Sequence, residues 1–361
     1  MSAWIERAAA TAGLAGLLGM TVVGARVVPR AAAPQQPAPD EAGRAAKIVG
    51  PDGGDNNCGT CHALEVQAWQ TTAHYADFTE RQRSAGALAI LKAMGQHTMK
   101  REPTCRPCHY TSVLKDGDVT PQWGISCESC HGPASDWVNL HNHVKGDPAG
   151  GIVPYGTGKN ETPQARTARL DAAAAKGMIH SRMLYEIAAN CFGCHIVTNE
   201  DLVNRGGHLP GSDFDLVAWS QGQVRHNYVS SPGAPDAPAN RTATPAELRR
   251  MYVTGAMADY ELSYRALADA KKKDETYYGA MLDRVNAARR KVDALLAAAP
   301  IPEIASAMKM VPAVTADAAG AIKAADCLQE ATKQFLDAHD GSDLASLDPL
   351  IPTVYKGRPA K

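Results

Sequence analysis

The sequence has no excess of charge of either sign, with 38 acidic residues against 37 basic ones. Such a balance provides no broad field for nucleic acid or a strongly charged membrane surface, and leaves docking to local patches. Helical periodicity is patchy over roughly the first two-thirds of the chain, so a conventional sheet or bundle is not expected there. Cysteine is nearly absent outside one pattern: of nine, only Cys327 stands alone. Nothing near it in sequence would lower its pKa, and a buried structural thiol is the expectation.

The other eight cysteines form four copies of Cys-x-x-Cys-His: Cys58, Cys61 and His62; Cys105, Cys108 and His109; Cys127, Cys130 and His131; Cys191, Cys194 and His195. This is the attachment signature of c-type haem. Two thiols three positions apart reach the two vinyl groups of one porphyrin, and the adjacent histidine presents its imidazole to the iron. Zinc is the competing reading, because paired Cys-x-x-Cys motifs also build closed tetrahedral sites. Zinc does not require a histidine directly after every second cysteine, and here all four motifs have one. The cofactor set expected is therefore four covalently attached c-type haems, with His62, His109, His131 and His195 as proximal iron ligands.

Covalent haem attachment occurs outside the cytoplasm, so cysteine usage alone predicts a periplasmic or otherwise extracytoplasmic protein. The N-terminus agrees: Arg7 precedes an apolar stretch from Ala8 to Val23, and Ala31, Ala32 and Ala33 offer an A-x-A cleavage site. Residues 1–33 read as a signal peptide, with an uncleaved anchor as the alternative because Ala8 to Val28 approaches spanning length. Membrane contact is expected only in that second case. Prolines at 34, 37 and 39 give residues 34–51 the composition of a flexible or extended tether.

With 361 residues the chain is long enough for two domains. Residues 52–229 hold every haem motif, every histidine but His339, and four of the five tryptophans. Porphyrins there would supply much of the apolar core, with short helices and loops wrapped around them, so the usual need for a core of side chains is relaxed. Trp69, Trp123, Trp137, Phe192 and Trp219 are expected to pack on porphyrin faces and edges. Residues 230–240, with Pro232, Gly233, Pro235 and Pro238, read as a linker. Residues 241–361 read as a helical domain. Thr244, Pro245 and Glu247 make a capping box with proline at the first helical position. Leu248, Tyr252, Ala256, Tyr260, Tyr264 and Leu267 then form an amphipathic stripe, repeated by Met281 to Leu295 and by Ile322 to Phe335. The fold class expected is mainly α: a multihaem cytochrome domain with little regular structure around four haems, plus a C-terminal antiparallel helical bundle.

The second axial ligand decides what each haem can do. Residues Ala63 to Glu80 read as one helix, and twelve residues of helix span about 18 Å, so His62 and His74 cannot sandwich one iron. If His74 ligates, it serves a different haem.

The segment CGTCHALEVQAWQTTAH from Cys58, the segment CESCHGP from Cys127 with a histidine ten residues after His131, and CFGCH from Cys191 resemble the tetrahaem cytochrome c-554 family over roughly residues 55–228. The resemblance implies distal ligation by histidines matching His74, His141 and His226. It also implies one haem without a protein sixth ligand. This chain departs from the family in carrying His97, His180 and His208 and in its C-terminal helices. His208, in the turn Gly206-Gly207-His208-Leu209-Pro210, is a candidate to complete the fourth haem, the coordination that the family leaves open; a loop histidine bonded to backbone or to a haem propionate is the alternative. His97, His143, His180 and His339 are expected to be spectators, and Met94, Met99 and Met183 are weaker candidates for ligation.

The function expected is that of a periplasmic tetrahaem cytochrome passing single electrons between a redox donor and a redox acceptor, with assembly through the C-terminal helices compatible with that role. The alternative is a haem enzyme acting on a small nitrogen oxide or hydroxylamine at a five-coordinate haem. Multihaem nitrite reductases resemble one another in a Cys-x-x-Cys-Lys motif, and none occurs here. Intact mass should exceed that of the processed polypeptide by four haems, and replacing Cys191 and Cys194 together by alanine should remove one.

Overall fold

The computed structural model describes residues 40–53, 57–153, 161–228, 239–313 and 317–359. The expected signal peptide and most of the expected linker lie outside the described residues. Gln35–Lys361 is one compact unit. Its secondary structure is mainly helical, with one two-stranded sheet among the described residues. No helix among them is long and apolar enough to cross a membrane.

Regular structure before residue 229 comes in short pieces, as the patchy periodicity predicts. Each haem motif includes a helical turn: the first opens on a 3-10 turn, Cys58–Thr60, and the other three end on helices, Arg106–His109, Cys127–His131 and Leu184–His195. A helical turn places cysteines three apart on one face. The apolar clusters are small. One joins Ala87, Leu91, Met99 and Tyr110 with Phe78 against them, and another joins Ala134, Trp137 and Ala173. Met99 therefore belongs to packed core, which accounts for its burial without ligation.

Three local features differ from the sequence reading. The helix expected over 63–80 is two helices, Ala63–Gln70 and Ala73–Ala76. Thr71 and Thr72 return their hydroxyls to the carbonyls of Ala68 and Trp69, and Thr72 caps the second helix by accepting from Tyr75 N–H at 3.2 Å. Such local bonds compete with helix continuation. The tether composition of residues 34–51 also gives way at its C-terminal end, where residues 40–51 are fastened down. Glu41 accepts two 2.6 Å bonds from Arg106, Lys47 pairs with Asp136 at 2.7 Å, and the buried Glu128 carboxylate accepts from Val49, Gly50 and Ala134 N–H. Finally, Thr111–Lys115 pairs antiparallel with Asp118–Trp123 across Asp116-Gly117. Both turn residues have positive φ, 54° and 88°, the conformation for which an Asp-Gly pair is the sequence signal.

The C-terminal helices follow the stripes closely. Pro245–Ala268 opens on the capping box, with Glu247 accepting from Thr244 N–H at 2.7 Å and donating its own N–H to the Thr244 hydroxyl at 3.3 Å. It packs against Thr276–Ala298 and Ala318–Ala338, and a further helix, Pro302–Met310, packs on the last of these. Cys327 lies half-buried on Ala318–Ala338, its thiol pushed up by desolvation. Pro245–Ala268 also meets the haem-bearing segment. Gly255 lies against Leu216, and buried Glu261 accepts from Tyr185 on the helix that ends in the fourth motif at 2.8 Å, and from Arg265 at 2.9 Å. A buried carboxylate is tolerated only when so paired. Glu261→Ala would leave the hydroxyl of Tyr185 and part of the Arg265 guanidinium without an acceptor. The expected loss is about 3 kcal/mol, read as a lower urea midpoint in far-ultraviolet circular dichroism.

Candidate functional site: four histidine pairs

Each motif histidine faces the ring of a second histidine from a distant part of the chain. His62 meets His141 with ring centres 6.2 Å apart, His195 meets His74 at 6.3 Å, His109 meets His208 at 6.4 Å, and His131 meets His226 at 6.1 Å. A metal–imidazole bond of about 2.0 Å, with about 1.2 Å more from nitrogen to ring centre, puts two imidazoles on one iron about 6.4 Å apart, centre to centre. The residues therefore fit a haem iron held between each pair. Among the described residues no cluster of three or more His, Cys, Asp or Glu side chains is arranged to hold a metal ion.

The hydrogen bonds set the tautomer. Nδ1 of His131 donates to the carbonyl of Ile179 at 2.7 Å, that of His208 to Leu209 at 2.7 Å, that of His226 to Val224 at 2.8 Å, and that of His141 to Val138. His195 donates to the Ser212 hydroxyl and His109 to the Asp77 carboxylate, both at 2.6 Å. A ring that donates through Nδ1 keeps the Nε2 lone pair for a metal. Burial, the largest influence on each, lowers the pKa of His74 and pushes His131, His141 and His195 down to about 4, so these rings are neutral at pH 7.

Local structure positions the partners. His74 is the second residue of the second short helix, and its carbonyl accepts from Ile125 N–H at 3.0 Å. Glycine is required at 124, because a Cβ there would clash with that same carbonyl oxygen. The carbonyl of His141 accepts from Arg169, which is fixed in turn by two bonds to Glu161 at 2.7 and 2.8 Å. Phe214 stacks on His195 with ring centres 4.3 Å apart, an aromatic contact that no sequence pattern marks.

The remaining candidates are placed elsewhere. His97 is exposed, His143 donates to the Asn139 carbonyl, and buried His180 accepts from Arg182 N–H at 3.3 Å. His339 sits among the C-terminal helices between Asp343 and Glu303. Trp69 donates to the Ile125 carbonyl at 2.7 Å, and Trp137 packs edge-on to His141.

The attachment cysteines of different motifs adjoin. The Cys58 and Cys127 thiols are within hydrogen-bond reach, as are those of Cys108 and Cys194, while Asn190, beside Cys191, donates to the carbonyls of Ser129 and Cys130 at 2.9 and 3.3 Å. Contact thus runs from the first motif to the third, fourth and second.

Residues 57–132, which contain the first three motifs, match the family model described as Cytochrome c554 and c-prime. Over these residues the chain is similar to the cytochrome c-554 family. Cytochrome c-554 of Nitrosomonas europaea is 28% identical over 98 residues, covering 24% of this chain and 41% of that protein. The chain thus spans about two-fifths of the length of the curated relative it matches. No solved structure matches. At this level the chain is a c-type cytochrome that attaches haem covalently.

The ring planes of the pairs differ, at 23° for His62 and His141, 49° for His74 and His195, 58° for His109 and His208, and 90° for His131 and His226. Near-parallel planes split the two iron orbitals that overlap the ligand π systems, and perpendicular planes leave them nearly degenerate. Low-temperature electron paramagnetic resonance should therefore show a rhombic low-spin signal from the first motif's haem and a strongly anisotropic one from the third. His226→Ala should abolish the anisotropic signal, and His74→Ala should turn a different haem high-spin with every haem still attached.

Proposed function

We propose that the chain is a periplasmic tetrahaem c-type cytochrome that passes single electrons between a redox-protein donor and a redox-protein acceptor. One observation carries this reading: each of the four Cys-x-x-Cys-His histidines faces a second histidine at the separation two ligands of one iron require. Four haems, bound by the eight motif cysteines, supply four one-electron couples. Ligation by His141, His208, His226 and His74 leaves no coordination position for substrate, and a six-coordinate iron changes oxidation state with little ligand movement. The family resemblance leaves one haem open; in this chain His208 stands opposite His109, which favours a carrier over an enzyme.

The adjoining motifs support a path from the first attachment site through the third and fourth to the second. The protein's contribution is then to hold these sites in fixed order, tune them through the ligand rings and present docking patches. The near cancellation of charge leaves partner choice to those patches.

Carbon monoxide tests the reading. The reduced protein should bind it slowly or not at all, because a histidine must first leave, and His208→Ala should create one rapidly binding site per chain. Rapid stoichiometric binding by the unaltered protein would remove His208 from the ligand set and bring the enzyme reading forward.

A further inference from the structure

We infer that Asp77 sets the reduction potential of the haem carried by Cys105 and Cys108, holding it low by acting through the ring of His109. The inference rests on the reading of His109 and His208 as ligands of one iron.

The motif histidines differ in what their outer nitrogen meets. His131 donates to a carbonyl and His195 to a hydroxyl, whereas His109 donates to a carboxylate at 2.6 Å. Glu65 lies 3.8 Å from Nδ1 of His62, beyond hydrogen-bond distance. Asp77 is 8% exposed, and its other oxygen accepts from Arg81 Nε at 2.8 Å, so it is held at both ends. A carboxylate drawing on the Nδ1 proton gives the ring imidazolate character and makes Nε2 a stronger donor. A stronger donor favours ferric over ferrous iron, and so lowers the potential. In the step affected, the iron gains one electron from the donor protein while the shared proton stays between His109 and Asp77 in both states. Arg81 draws on the same carboxylate from its far side and limits the effect.

The position of Asp77 adds a second point. It follows His74 by less than one helical turn, and His74 faces His195 of the fourth motif. The same short segment therefore supplies a ligand to one haem and the tuning acceptor to another. The thiols of Cys108 and Cys194, which attach these two haems, are also in reach of each other.

The test is potentiometric titration of the fully loaded protein, with the relevant haem identified as the one whose spin state changes in His208→Ala. Asp77→Asn keeps an oxygen that can accept from Nδ1 but removes the charge. It should favour reduction of that haem about tenfold, or about 59 mV for one electron, with the other three couples much less affected and all four haems low-spin. Asp77→Glu should stay close to the unaltered value. Arg81→Ala should shift the same haem in the opposite direction, and that shift should shrink when Asp77 is already Asn. Four low-spin haems with unmoved potentials in Asp77→Asn would overturn the inference and leave the ligand reading intact. A high-spin haem in the unaltered protein at the second motif would instead overturn the ligand reading. Should Asp77→Asn fail to load four haems, Arg81→Ala decides: no downward shift overturns the inference.

Discussion

The constraint on which the structure turns is that no motif can complete its own site. The geometry of a Cys-x-x-Cys-His turn fixes a histidine beside its cysteines and aims it at one side of the porphyrin, so the opposite side must be supplied by remote chain. In each case a histidine from remote chain, at 141, 208, 226 or 74, stands opposite the motif histidine, where that ligand would be. Much of the local structure serves to hold those four backbones. The threonine break after Gln70 sets the second helix of the pair and the start from which His74 projects, Gly124 admits its carbonyl, and Arg169 grips the carbonyl of His141. The buried Glu128 carboxylate ties residues 49–50 to the third motif by the same economy of backbone bonds.

The two halves of the chain solve burial differently. The C-terminal helices have a dense interior in which Tyr260, Tyr264, Tyr277 and Phe335 are fully buried. The haem-bearing segment has two small side-chain clusters, and most of its other large buried side chains, Tyr185, Phe192, Ile196 and Leu216 among them, lie on and after the helix of the fourth motif. The helix Leu184–His195 belongs to both, presenting Tyr185 to Glu261 at one end and the fourth motif at the other. Its packing on Pro245–Ala268 and its Tyr185–Glu261 bond fix the fourth attachment site, and Asn190 on the same helix donates to the carbonyls of Ser129 and Cys130 in the third.

Legibility in the sequence tracks how local each determinant is. The haem motifs, the capping box at Thr244 and the stripes of the C-terminal helices are written in residues a few positions apart, and the structure forms elements where they predict them. The Asp116-Gly117 hairpin was equally local, and its turn dipeptide is a signal that periodicity alone passes over. The break at Thr71-Thr72 depends on side chains competing for backbone bonds, which a count of apolar positions does not register. The meeting of His208 with His109, like that of Phe214 with His195, is set by the path of the whole chain. No spacing encodes it.

The order of the pairings along the chain also bears on how the protein is made. Reading from the N-terminus, His62 waits for His141, His74 for His195, His109 for His208 and His131 for His226, so the four spans overlap and none is nested free of the others. During synthesis the first three motifs can receive their haems before any pair can close, because the earliest pair needs His141; the fourth motif, at 191–195, follows later. The early product is then a chain with haems tethered on one side only, and its last partners emerge together near residues 195–226. Closure of long overlapping loops is slow because the entropy is lost before the contacts form. Maturation thus combines a local chemical step, which proceeds motif by motif, with a long-range one that begins at His141 and ends when residues 195–226 supply the other three pairs.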